Sequence, residues 1–214
     1  MFRTLACLVL LFPATPAHPG AWPRGEGNHF GAVTARIATD PGHAITTGIF
    51  HDFGLTPRSG LTLELDLSGG EVAKALLFYQ ISLSAPDRPV QVSAALGGGS
   101  ISGASVVSPR LFIGRGLQLG TLSGWIEATL GADLFPETRD GTGKFDLTLG
   151  LAPRPQLKTY VQLYSTVRPG GIDARIEGSA AYNLFGETWL DLGVSTGLSG
   201  ARDPQVKIGL WTAF

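Results

Sequence analysis

No run of about 18 apolar residues occurs anywhere in this chain, so it has no candidate for a transmembrane α-helix. Charge is scarce too. Charged residues make up 15% of the sequence and the formal net charge is −1, which leaves no electrostatic footprint for nucleic acid. The single cysteine is Cys7, which excludes an internal disulfide. Histidine is limited to His18, His29, His43 and His51. None falls where a strand pattern would set it beside a serine and a third polar group, as an activated nucleophile needs. Asp133 and Glu137 form an acidic pair with no histidine near them but His43, and no His/Cys/Asp cluster has metal-ligand spacing. The chain therefore reads as a non-enzyme without cofactor or metal.

What it has in quantity is glycine (30), proline (14) and apolar residues (43%), with a mean hydropathy of +0.18. Glycine and proline both weaken helix interiors. A chain apolar on average but never apolar for long is placing those residues at alternate positions.

The first 17 residues predict a secretory signal peptide. Arg3 supplies the positive charge, Leu5 to Phe12 the apolar core, and Thr15-Pro16-Ala17 a small-residue cleavage site. Leu5-Ala6-Cys7 has the look of a lipidation box, but the apolar core follows the cysteine instead of preceding it. Residues 18–27 read as a periplasmic lead, in which Pro19 and Pro23 would interrupt any strand ladder.

From residue 28 to 214 one motif recurs: nine to fourteen residues of apolar/polar alternation, then a turn. That period of two is a strand with different surroundings on its two faces. Gly60 to Ser68 (GLTLELDLS) puts Leu61, Leu63, Leu65 and Leu67 on one face and Thr62, Glu64, Asp66 and Ser68 on the other. Twelve such segments are predicted: 28–39, 44–54, 59–69, 73–84, 90–102, 109–119, 124–136, 143–151, 157–168, 173–185, 187–199 and 205–214. Ten strands is the alternative, because alternation is weakest in the first two. Each segment reaches the roughly 9–11 residues that cross a tilted bilayer. A closed antiparallel barrel with an even strand count also removes every exposed edge. Connections after even strands should be short and periplasmic, with the longest loops at 99–108 and 136–143 on the other side. A soluble sandwich would also alternate, but its outer face would carry more Lys and Glu than this one.

The C-terminus, Val206-Lys207-Ile208-Gly209-Leu210-Trp211-Thr212-Ala213-Phe214, sets Val206, Ile208, Leu210 and Phe214 on one face. It resembles the closing strand of proteobacterial outer-membrane proteins. Ala21-Trp22-Pro23-Arg24-Gly25-Glu26-Gly27 resembles the lead of small outer-membrane barrels in that group, a family of unassigned function. The resemblance implies an outer-membrane location, contact with lipid, and insertion by the barrel-assembly machinery with Phe214 as the signal.

Lumen-facing charges should include Asp52, Glu64 and Asp66 on one wall, faced by Lys158, Arg168, Arg175 and Lys207 on the other, with Glu177 close to Lys207. Small inward residues, Gly114, Gly150 and Gly193 among them, leave interior space beyond what eight strands enclose. These features suit a narrow diffusion channel for small polar solutes. The alternative is a closed barrel with a structural or anchoring role, its lumen filled by charge pairs. Hairpin spacing sets Glu177 opposite Gly197 and Gly197 opposite Lys207, which predicts an ion pair over that glycine. Arg115 shares the outward phase of Leu111, Ile113 and Leu117, so a bulge, a phase shift or snorkelling is expected there.

Overall fold

In the computed structural model, which describes residues 20–40, 42–199 and 203–214, the alternating segments close into one antiparallel barrel of twelve strands. The strands are β1 (His29–Ala38), β2 (Ile45–Thr56), β3 (Ser59–Ser68), β4 (Glu71–Ser82), β5 (Val90–Ile101) and β6 (Ala104–Leu119). They continue as β7 (Leu122–Phe135), β8 (Asp140–Arg154), β9 (Leu157–Arg168), β10 (Gly171–Phe185), β11 (Thr188–Ser199) and β12 (Gln205–Ala213). The two weakest segments are full strands, which removes the ten-strand alternative. The signal peptide expected at 1–17, with its cleavage site and Cys7, lies outside the described residues.

Closure runs through β1 and β12, paired from Phe30↔Ala213 to Ala38↔Gln205. His29 N donates to Phe214 O at 2.6 Å and Phe214 N to His29 O at 3.1 Å. Both chain ends of the barrel therefore meet at one mouth, here the terminal end; the opposite mouth is the far end. The faces follow the alternation. Leu63, Leu149, Leu192, Ile208 and Leu210 are exposed on the outside, while Thr62, Asp191 and Lys207 are buried inside. Every strand contributes large apolar side chains to the outer band, and its exposed aromatics, Tyr79, Tyr182, Phe185 and Phe214, all lie towards the terminal end.

The expected long far-end loops are absent. β5 continues to Ile101 and β6 starts at Ala104, so Ser102-Gly103 alone joins them. Both residues have positive φ, 50° and 81°, the turn whose twist matches a tight hairpin. Asp140 likewise opens β8, shortening the 136–143 loop. Turn residues there were legible as loop, but the ladder overrides them to within two residues of the chain reversal.

Candidate functional site

The lumen is divided. A cavity of about 440 Å³ runs from the far half, where Arg36, Asp66, Lys74, Lys144, Asp146 and Tyr164 help to line it, down to Phe30, Trp125 and Trp211. Alternation aims these side chains inward from separate strands, and ion pairs fix most of the charged ones. Arg110 forks onto Glu64, with Nη2 3.1 Å from Oε2. Lys74 Nζ lies 3.3 Å from Glu64 and 2.7 Å from Asp66. Across the lumen Lys207 Nζ contacts Glu177 at 2.7 Å and Asp191 at 2.9 Å, and Arg36 Nε reaches Glu177 at 3.2 Å. Lys144 pairs with Asp133, which also accepts from Ser108 Oγ at 2.8 Å. Tyr160 Oη donates to Asp191 at 2.7 Å and accepts from Lys207 Nζ at 2.9 Å. Asp66 and Arg36 keep about a third of their side-chain surface exposed, 36% and 33%, so the cavity communicates with solvent.

The terminal half is filled. Trp125, Tyr160, Ala181 and Trp189 form a buried cluster backed by Trp211. Residues 20–27 fold into the lumen beside that cluster instead of trailing from the lumen, leaving a smaller cavity of about 160 Å³ against Gly20, Gln80 and Phe112. Ala21 is fully buried, and Arg24 Nε binds Asp52 at 3.0 Å with its guanidinium 4.3 Å above the Phe30 ring.

The expected site residues do not gather in one place. Asp52, Glu64 and Asp66 are inward but individually neutralised by Arg24, Arg110 and Lys74. Glu177 and Lys207 meet, while Lys158 stacks its ammonium 4.3 Å over Trp189 in the terminal half. Arg175 leaves the lumen centre for Asp203, 3.0 Å away. Arg168 is at the far rim, 61% exposed beside Asp173. No acidic wall faces a basic wall, because most of the charges pair with neighbours; among the described residues Lys158, Glu127 and Asp146 form no ion pair. Phe214 lies outside, its ring stacked 5.1 Å from His29.

Sequence reasoning missed Arg24, Arg36 and Arg110, which share this neutralising with the lysines. Arg36 has the phase opposite to Val33 and Ile37, and Arg110 the phase opposite to Leu111 and Ile113, so both carried the signal. The inward glycines also differ from expectation, since several seat aromatic rings. A Cβ on Gly97 would come 2.3 Å from Phe78, one on Gly150 2.2 Å from Trp125, and one on Gly114 2.4 Å from Trp22.

No protein-family model matches the sequence, and no curated protein does. Among solved structures the barrel is similar to the KdgM porin, with a TM-score of 0.61 and 12% identity over 86% of this chain and 99% of that one. It is equally similar to the COG4313 outer membrane channel from Pseudomonas putida F1, with a TM-score of 0.60 and 12% identity over 92% of this chain and 99% of that one. At such identities the likeness shows a shared fold: the twelve-stranded barrel of outer-membrane channels.

Proposed function

We propose that this chain is an outer-membrane channel of narrow bore that admits small polar solutes. The observation that carries the reading is the 440 Å³ cavity, open to solvent at the far end and lined by charges most of which are paired on their own wall. A bore with hydrogen-bonding groups all round but little uncompensated charge accepts polar solutes without strong preference for either ion sign. The apolar outer band supports a bilayer location, because surface of that extent in water is an aggregation hazard. The fold shared with KdgM porin and the COG4313 channel supports the same reading.

In this reading residues 1–17 export the chain of a Gram-negative, proteobacterial cell, and the strand ending at Phe214 presents it to the barrel-assembly machinery. The terminal end is then periplasmic. The packed terminal half favours the second reading, a closed barrel that serves as a structural element or anchor.

Planar-bilayer recording and liposome swelling decide between them. The channel reading expects small conductance steps, weak ion selectivity, and swelling with small sugars or amino acids that fails for larger ones. Arg110→Ala, which leaves Glu64 with Lys74 alone, should move the reversal potential towards cations. A barrel that is correctly inserted yet silent in both assays, with the lead present and with it deleted, would establish the closed reading.

A further inference from the structure

We propose that residues 20–27 are a resident plug that closes the terminal end of the lumen and sets how much the channel conducts. The inference rests on the channel reading and adds the part of the chain that regulates it.

The lead crosses the full bore. It leaves β1 beside β2, where Gly27 N donates to Gly54 O at 2.9 Å and Arg24 is latched to Asp52. It ends against β4 to β7. Ser93 Oγ on β5 donates to Ala21 O at 2.8 Å, Ala21 N donates to Glu127 Oε2 on β7 at 3.2 Å, and Gln80 Nε2 on β4 donates to Gly20 O. In a ring of twelve strands β1 and β7 are diametrically opposed. A segment tied to both spans the diameter.

The wall is shaped for it. A Cβ on Gly54 would lie 1.6 Å from Gly25 O, and one on Gly114 would lie 2.6 Å from the Ala21 methyl and 2.4 Å from the Trp22 indole. Glycine at these two positions is what lets the lead lie flat against β2 and seat its indole on β6. Ser93 is fully buried under the lead.

The seat is also one the lead can leave. Residues 20–27 add no strand to the sheet, and Gly20, Ala21 and Arg24 are held by side chains of the wall. Asp52, Gln80, Ser93 and Glu127 are polar, so water can satisfy them when the lead departs and the emptied bore would hydrate. With the lead seated, Arg24 Nη2 is buried without a hydrogen-bond partner among the described residues, and withdrawal would relieve that.

The test reads seating and closure separately, in the full chain carrying Cys7→Ala. Ser93→Cys reports seating: it should resist a water-soluble maleimide in the inserted barrel and react once residues 20–25 are deleted. Single-channel conductance reports closure: it should rise several-fold on the same deletion, with Trp22→Ala and Asp52→Asn in between. Equal labelling with and without the lead overturns the plug. Unequal labelling with equal, non-zero conductance also overturns it, while the channel reading stands. Unequal labelling with no conductance in either chain sinks the channel reading and leaves the lead as packing, which overturns the inference too.

Discussion

Lys207 and Glu177 meet across a strand that separates them. Nζ lies 2.7 Å from Oε1 although β11 runs between β12 and β10, and the residue opposite Lys207 on that strand is Gly193. A Cβ at Gly193 would come 2.9 Å from Lys207 Cε and 2.5 Å from Ser179 Oγ, so the glycine is the opening through which the lysine reaches.

Lys207→Met is expected to cost stability. Both partners are almost fully buried, with side-chain exposures of 4% and 1%, and the change leaves Glu177 and Asp191 without their shared cation. Removing one member of a buried pair costs about 3–5 kcal/mol. Arg36 still holds Glu177, which places the expected loss at the lower end, about 3 kcal/mol. Denaturant unfolding of the folded barrel in detergent measures it, and a loss near zero would show that the network is not maintained there.

That contact was legible in the sequence and its geometry was not. Face assignment needs only the period of two, which is why Glu177 and Lys207 both pointed inward on paper. Register needs the bulges as well. The irregularity at Asn183/Phe185, next to the turn, sets Glu177 opposite Ser195 and carries Arg175 to Gly197. Between β11 and β12, Gln205 pairs with Ser195 and not with Ser199, so Gly193 fills the place predicted for Gly197. Alternation gives a residue its face, and only the turns and irregularities give its partner on the next strand. For the same reason twelve strands and an apolar exterior could be read directly. The plug could not, because residues 20–27 carry no periodicity and their partners are scattered over six strands.

The aromatic seats give a second prediction. Gly150→Val and Gly97→Val push a side chain into Trp125 and Phe78, whose rings lie 2.2 and 2.3 Å from where a Cβ would stand. Overpacking of this kind costs about 1–3 kcal/mol. Gly178→Ala, on the outer face of β10 with nothing within 4 Å of the added carbon, should change nothing measurable. Unfolding midpoints of the three variants against the parent chain test the contrast. Equal stability across all of them would mean that the rings do not occupy those glycines.

The connection before β12 should loosen in acid. Asp203 accepts from Gln205 Nε2 at 3.0 Å and pairs with Arg175 at 3.0 Å. Its carboxyl is held below its ordinary value, first by the Gln205 hydrogen bond and then by the Arg175 guanidinium. A carboxyl whose pKa is lower in the folded state stabilises that state above its unfolded pKa, and the effect is lost as pH falls through the folded pKa. Hydrogen-exchange protection at the start of β12, taken relative to the intrinsic rate at each pH, should therefore be constant from neutral pH down to the ordinary carboxylate range and fall below it. Asp203→Asn should show one level of protection throughout, and an acid loss of protection unchanged in that variant would remove Asp203 as the cause.

Arg115 bears on where the bilayer sits. It is exposed on the outer face of β6, in unbroken register with β7 and opposite Val90, the first residue of β5. Neither the bulge nor the phase shift expected from its charge occurs. Its position near the terminal rim is what relieves the cost, since an arginine there can extend its guanidinium to the headgroups. On a barrel's lipid face a basic residue costs about 2–4 kcal/mol at the midplane and about 0–1 kcal/mol near the interface. Arg115→Leu should accordingly shift stability by less than about 1 kcal/mol. Leu147→Arg is the matched probe: Leu147 faces outward near the middle of β8, opposite Ala128 and Leu163, and the change should cost about 2–4 kcal/mol. Both are read by reversible unfolding in lipid vesicles. If Arg115→Leu gained as much as Leu147→Arg lost, the hydrocarbon would have to reach Arg115, and the bilayer would sit closer to the terminal end than the girdle of Tyr79, Tyr182, Phe185 and Phe214 places it.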